Sequence, residues 1–400
     1  MRENNDPKKF EKSKMDANEA KKATASSGVK AAAIAAEALS AGSLSITDVL
    51  ASKLFEMFSS TSLNNLEKKI KGIGQPAAAT VLKNLKSNFN DENLVLVLGA
   101  GISLDNKIPT WNELLKRLLA RALEDTNENR KMVSTLFNEV FGPNALIAAR
   151  YLKLHFDSVN TPLEKEIQRV LYEYYDEAES GNLKAIKKLC ISAGKSPGLD
   201  SVITYNYDDV LEQALTKADV GIKFKVISKT GQHARHNELP IYHVHGYLPM
   251  QGKIEFDDSL VLSDESYHRQ YVDLYHWSNM VQLNKFKDGN CLFIGHSFTD
   301  PNLRRLLDTA KKLRGDGSKP HYLIKCRHSK EEVIGNIDRI LRNSSADFAS
   351  ELETNIDKIA VSLLETVHRF EEIDANSFGV NVIWINDYQE IGPLLNDLTQ

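Results

Sequence analysis

Cysteine is scarce in this chain, and the three present, Cys190, Cys291 and Cys326, stand far apart. A structural zinc module or a disulfide framework needs thiols at short, paired spacing, so neither is expected, no metal site is assigned, and the usage fits a reducing cytoplasm. Charge of one sign is not in excess either. Lys plus Arg number 50 against 54 for Asp plus Glu, a net charge of -4. That leaves no global basic field to hold nucleic acid nonspecifically, and direct nucleic-acid binding is not expected. Long apolar runs are missing. The Ala-rich stretch from Ala31 to Ala41 is broken by Glu37 and falls far short of the ~20 apolar residues that span a bilayer. Met1 to Lys30 is charged throughout, with no apolar centre ahead of a cleavage site, so a secretory leader is not expected.

What is present is enough to build a large interior. The 400 residues are 42% hydrophobic, with 15 Phe and 13 Tyr, sufficient for one large core or two moderate ones. Residues 1–28 are rich in Lys, Asn, Asp and Ser and read as a solvated tail. From 29 to 90 apolar residues recur at helical spacing, as in Val49, Leu54, Phe55 and Phe58 and then Val81, Leu82 and Leu85, which predicts a helical appendage. The remainder, 91–400, reads as an α/β, Rossmann-like domain with a mostly parallel sheet. Helical insertions are predicted at about 111–195, opened by the stripe Trp111, Leu114, Leu115, Leu118 and Leu119, and at about 329–372.

Five short apolar runs in that domain each end in a polar or glycine cluster. Leu94–Leu98 leads into Gly99, Ala100, Gly101, Ile102 and Ser103, and Ser201–Thr204 into Tyr205, Asn206, Tyr207 and Asp208. Ile241–Val244 leads into His245 and Gly246, Cys291–Ile294 into Gly295, His296 and Ser297, and Val380–Ile385 into Asn386 and Asp387. In an open parallel sheet ligands bind beyond the carboxyl ends of the strands, so these clusters converge on one site, and their chemistry suits a nucleotide. Glycines directly after a buried strand allow a tight turn and a close approach to a pyrophosphate. Taken alone, the pair is equally a strand-to-helix turn without a ligand. Neither the G-x-G-x-x-G fingerprint nor a P-loop is satisfied, since Leu104 occupies the third glycine position and no Gly-Lys-Ser/Thr ending follows.

Gly99-Ala100-Gly101-Ile102-Ser103 followed by Ile108-Pro109-Thr110-Trp111 resembles the Gly-Ala-Gly-x-Ser and Gly-Ile-Pro-x-Phe signature of sirtuins. Thr204-Tyr205-Asn206-Tyr207-Asp208 is similar to their Thr-Gln-Asn-x-Asp motif, and Val244-His245-Gly246 to their His-Gly. The resemblance covers the chain from about Asp91 onward and is closest to the bacterial sirtuin-like proteins of antiviral defence, through Pro-x-Trp, Asn-Tyr-Asp and the block Gly295-His296-Ser297-Phe298-Thr299-Asp300-Pro301-Asn302-Leu303. It implies NAD as the substrate and destruction of NAD during infection. It also implies Gly99 to Ser103, Pro109, Thr110, Trp111, Tyr205 and Asp208 as NAD-binding residues, with Gly295 and Ser297 on the adenine-side ribose or phosphate and Asn386 at the adenine edge. Three departures from the classical deacylases stand out: Tyr205 replaces Gln, Asn112 replaces Arg, and the four zinc-binding cysteines are absent.

The residue chemistry agrees. Expelling neutral nicotinamide from a pyridinium needs no strong general acid; a developing oxocarbenium charge must be accommodated and a nucleophile oriented. Asn206 offers a fixed amide to hold water or a ribose hydroxyl, and His245 titrates near neutral pH and can accept a proton. Each alone reads as an Asx-turn residue or a bonded core histidine; their joint placement with Gly99 to Ser103 makes them the expected catalytic pair. Asp208 orients the Asn206 loop, bonds a ribose hydroxyl or caps the helix beginning near Asp209, and His243 is expected to support the site without taking part in the chemistry. The expected activity is hydrolysis of NAD to ADP-ribose and nicotinamide. The alternatives are an NAD-dependent protein deacylase and a sensing module without turnover. Surplus apolar positions at 29–88 and 329–370 predict a homo-oligomer, and the resemblance adds a HerA-type ATPase or another defence partner as the source of control.

Overall fold

The computed structural model describes residues 78–122, 145–191, 198–218, 223–252, 254, 260–315, 319–341 and 356–399. The expected tail and residues 29–77 of the appendage lie outside the described residues. Seven strands form one all-parallel sheet: β1 (Leu94–Leu98), β2 (Leu199–Thr204), β3 (Phe224–Ile227), β4 (Leu239–His243), β5 (Asn290–Ile294), β6 (His321–Cys326) and β7 (Val380–Ile385). Their order across the sheet is β3-β4-β2-β1-β5-β6-β7. After β1 the chain builds one flank and then returns to add β5 on the other side of β1. The order therefore reverses between β1 and β5, and the crevice beyond their carboxyl ends is where such a sheet binds ligands.

The described helices are α1 (Ala78–Asn90), α2 (Trp111–Ala122), α3 (Ala145–Ser158), α4 (Leu163–Tyr172), α5 (Gly181–Cys190), α6 (Val210–Thr216), α7 (Asp264–Val272), α8 (Trp277–Asp288), α9 (Pro301–Arg314), α10 (Lys330–Leu341), α11 (Ile356–Ser377) and α12 (Ile391–Leu398). None is long and apolar enough to cross a membrane. Two compact units result. The sheet and α1–α9 fall in one, with residues 370–399; the described residues of the other, 328–341 and 356–369, carry α10 and most of α11.

β1 shows why the sheet is central. All five of its residues are buried, and because strand side chains alternate between faces they feed two cores. Leu94, Leu96 and Leu98 pack with Leu85 of α1, Leu118 of α2, Ile186 of α5 and Leu395 of α12. Val95 and Val97 pack on the other face with Phe286 of α8, Leu303 and Leu307 of α9 and Ala375 of α11. The segment read as the end of an appendage thus buries Val81, Leu85 and Phe89 in the main core. Helix α9 carries the clearest local signals: Pro301 opens it, the Asp300 carboxylate accepts Leu303 N–H at 2.6 Å, and three basic residues occupy its last turn. Those features match a helix start and end.

Candidate active site

At the carboxyl edge the hydrogen-bond ladder outruns the strands. Gly99 N–H donates to Ile294 O and Tyr205 N–H to Leu98 O, each at 3.0 Å, and Val244 N–H donates to Thr204 O at 3.1 Å. The loops after β1, β2, β4 and β5 therefore leave the sheet at one level and meet around the β1/β5 crevice.

Two of these loops touch backbone to backbone. A Cβ on Gly99 would lie 2.6 Å from Gly295 O, and one on Gly101 would lie 2.7 Å from Gly295 Cα. Gly295 has φ +64°, a left-handed conformation that favours glycine, and a Cβ there would lie 2.7 Å from Ile102 N. Gly101 N–H donates to Gly295 O at 2.9 Å. The absence of side chains at 99 and 101 is accounted for by this contact between loops. Of the rest of the turn, Ile102 is buried in the core and Ala100 is half-buried.

Asn206 is buried, and its contacts fix which way its amide faces. Nδ2 donates to Gly99 O and to Ser103 Oγ, both at 3.2 Å. With both amide hydrogens committed, the carbonyl oxygen is what Asn206 has to offer, as an acceptor. Its main chain is held as firmly: Asn206 N–H donates to Thr204 Oγ1 at 3.1 Å, and His243 Nδ1 lies 3.0 Å from Asn206 O. A carbonyl can only accept, so Nδ1 carries the hydrogen. His243 Nε2 lies 2.7 Å from Glu212 Oε1 of α6, and the two side chains share a proton between them in the interior. Glu212 thus braces His243, and His243 braces Asn206.

His245 is buried beyond β4, with the ring of Tyr205 edge-on at 4.7 Å. Its Nε2 is sealed from solvent and makes no hydrogen bond among the described residues. Asp300 Oδ2 lies 3.4 Å away, near enough for charge attraction but not aligned as a hydrogen bond. Burial pushes the imidazole below its ordinary range, against the opposing pull of Asp300. A histidine so placed is a neutral base at physiological pH.

The remaining expected residues divide. Tyr205 has its hydroxyl taken by Gln282 of α8, which leaves its ring to pack on His245 and His296. Trp111 opens α2 and packs partly buried against the main core, and Thr110 Oγ1 accepts Glu113 N–H at 3.3 Å at the start of that helix. Pro109 and Thr110 line a pocket of about 460 Å³ together with Lys107, Arg117 and Tyr174; Asn206 and His245 do not line it. Ser297 is exposed, its Oγ 2.7 Å from Thr299 Oγ1. Asn386 is exposed beyond β7 at the sheet's edge, three strands from β1 and so about 14 Å along the carboxyl edge. His296 is half-buried, accepts Phe298 N–H on Nδ1 at 2.9 Å, and is pushed down to about 4, chiefly by burial.

Residues 200–348 match the model of the SIR2-like domain, a span that includes Asn206, His245 and Gly295. Over that stretch the chain is similar to SIR2-like domains. It is also similar to the NAD(+) hydrolase ThsA of Enterococcus faecium, 22% identical over 326 residues that make up 80% of this chain and 57% of that protein. The ThsA of Bacillus cereus (strain MSX-D12) is 22% identical over the same length, covering 56% of that protein, and that of Cytobacillus dafuensis is 24% identical over 250 residues, 60% of this chain and 43% of that one. The chain therefore spans about half the length of the curated relatives it matches.

Cys190 and Cys291 are buried and Cys326 is half-buried, and no group of three His, Cys, Asp or Glu side chains among the described residues is arranged to hold a metal ion. Four contributors to the site escape a reading of the sequence: Glu212, Tyr267, Gln282 and Asp300. Each reaches it from a different helix or loop, and only Asp300 carried a signal, as part of the Gly295–Leu303 block.

Asp208 closes the loop. Its Oδ1 accepts Ser103 Oγ–H at 3.0 Å and Val210 N–H at 3.2 Å, so it ties the glycine turn to the start of α6. Burial raises its carboxyl to about 6, with the Val210 and Ser103 hydrogen bonds opposing. A folded-state value above the unfolded one gives stability that is present below about pH 4 and lost as pH rises through about 6. Asp208→Asn keeps the accepting oxygen and removes the ionisation. Relative to wild type, the variant is expected to gain roughly 2–3 kcal/mol between those limits. Urea unfolding at pH 4 and pH 7 checks this, and a difference that does not change with pH would refute it.

Proposed function

We propose that the chain hydrolyses NAD to ADP-ribose and nicotinamide, and that it serves antiviral defence by depleting NAD. The observation that carries the reading is one pair: an Asn206 carbonyl left as an acceptor in the loop after β2, and a buried, neutral His245 in the loop after β4. The relatives' printed name, NAD(+) hydrolase, supports it. In the reaction, the bond from ribose C1′ to the nicotinamide nitrogen breaks and its electron pair returns to the ring, so nicotinamide leaves neutral. Water, held by Asn206, forms the new bond to C1′ and loses a proton to His245. The turn from Gly99 to Ser103 meets the pyrophosphate. Pro109, Thr110, Trp111, Tyr205 and Asp208 shape the nicotinamide-ribose side, and Gly295, Ser297 and Asn386 line the path to adenine. The protein acts in the cytoplasm as a homo-oligomer, restrained by assembly or by a partner such as a HerA-type ATPase.

Incubating the purified chain with NAD, alone and with the product of a neighbouring gene, tests the reading. Chromatography is expected to find ADP-ribose and nicotinamide in equal amounts. Adding an acetylated peptide is expected to change neither rate nor products. Intact NAD under both conditions, or acetyl transfer to ADP-ribose, would overturn the reading.

A further inference from the structure

Asp300 lies at the N-terminus of α9, and its two carboxylate oxygens do different things. Oδ1 caps the helix by accepting Leu303 N–H at 2.6 Å. Oδ2 accepts the Tyr267 hydroxyl of α7, also at 2.6 Å, and faces His245 Nε2 at 3.4 Å. The Asp300 side chain is largely buried, at 8% exposure, as is that of His245, at 9%. Capping needs one oxygen and accounts for Oδ1 alone. An aspartate whose second oxygen is pinned by a tyrosine against a buried imidazole is arranged to act on that imidazole.

We infer that Asp300 is a positioning residue for His245: it keeps the hydrogen on Nε2, leaves the Nδ1 lone pair to accept the proton from water, and stabilises the imidazolium that forms. The inference rests on the reading of His245 as proton acceptor and deepens it. The step balances. The O–H bond of water breaks, the new N–H bond forms on Nδ1, and the positive charge lost by the pyridinium as nicotinamide departs reappears on the imidazolium beside a carboxylate. At a ring nitrogen sealed from solvent, that fixed charge does what bulk water cannot, and the division of labour is that of the carboxylate in a hydrolase triad.

The groups around His245 set the direction of each effect. Asp300 from α9 attracts its proton. His296 from the loop after β5 is pushed down to about 4, chiefly by burial, and stays neutral, Tyr205 from the loop after β2 presents its ring edge, and Tyr267 from α7 engages Asp300. His245 is held low by burial against the pull of Asp300, so removing the carboxylate lowers its titration midpoint further. Tyr267 draws charge density from Oδ2, so Tyr267→Phe frees the carboxylate for His245 and raises the midpoint. Opposite shifts from two neighbouring substitutions are not produced by loss of packing.

The test is an NMR titration of the full chain labelled at histidine, with the His245 signals assigned by their loss in His245→Ala. Wild type is expected to show the hydrogen on Nε2. Asp300→Asn keeps the capping oxygen, and asparagine caps about as well as aspartate, so thermal unfolding is expected to stay close to wild type. The His245 midpoint is expected to fall by about one pH unit, the acid limb of NAD turnover to move with it, and the plateau rate to drop about 10- to 100-fold. Tyr267→Phe is expected to raise the midpoint and serves as the decisive variant if Asp300→Asn does not fold. An unchanged midpoint and tautomer in whichever variant folds would overturn the inference. A wild type that leaves NAD intact would overturn the proposed function, while the titration would still decide whether Asp300 controls His245.

Discussion

Alanine at Asn206 or His245 is expected to reduce kcat for NAD cleavage by on the order of 100-fold or more, the usual cost of losing one positioned catalytic group. The two substitutions differ in what else they disturb. His245→Ala removes a ring whose Nε2 bonds nothing among the described residues, so its effect falls on chemistry. Asn206→Ala also deletes the donor to Gly99 O and Ser103 Oγ, and leaving such groups unmet costs about 1–3 kcal/mol of stability. Because the pair acts as a unit, the double variant is expected to be little worse than the more severe single one. Initial rates of nicotinamide release, with KM and kcat separated and melting curves alongside, check all of this. Near wild-type turnover in either single variant would sink the assignment.

Valine at Gly295 or Gly101 is expected to act on the fold before it acts on any ligand. The sequence alone invites the view that Gly101→Val would crowd a phosphate and weaken NAD binding in an otherwise intact protein. The structure gives the branched carbons a nearer obstacle: a Cβ at 101 meets Gly295 Cα at 2.7 Å, and one at 295 meets Ile102 N at 2.7 Å from a backbone at φ +64°. Backbone cannot move aside as a flexible side chain can. Strain and overpacking together are expected to cost roughly 2–5 kcal/mol, read as a fall in the midpoint of urea or thermal unfolding. Gly181→Ala is the control, because a Cβ there meets nothing within 4 Å, and it is expected to melt with wild type or above it. A Gly295→Val protein that melts normally and has lost only NAD affinity would return the glycine pair to the phosphate.

The fold was legible where side-chain patterning is strong. The unbroken apolar run Leu94–Leu98 declares a central strand covered on both faces, and the helical stripe opened by Trp111 corresponds to α2. Two strands stayed outside the five apolar runs. β3 is a four-residue edge strand interrupted by Lys225, and β6 confines its apolar run to Tyr322, Leu323 and Ile324 between His321 and Lys325. Neither differs enough from a loop for periodicity to find it. At the site, sequence could name groups that follow a strand, because topology sends them all to one edge. Contacts were beyond it. Asn206 Nδ2 bonds a carbonyl 107 positions away, and Tyr267 bonds Asp300 across 33; such meetings depend on how α7 and α9 pack, which no local spacing encodes. The glycine turn shows the same limit, since its tightness was readable but its neighbour was not.

The ladder that runs on past β1, β2 and β4 has a consequence for control. Asn206 and His245 hang from the same hydrogen bonds that hold the sheet together, and Glu212 and His243 lock Asn206 from behind. A site built into the scaffold in this way has no half-assembled resting state: bending it out of shape means tearing the sheet. On the proposed reading, assembly or a partner restrains the chain at the doorway, by deciding which molecules reach the crevice and when.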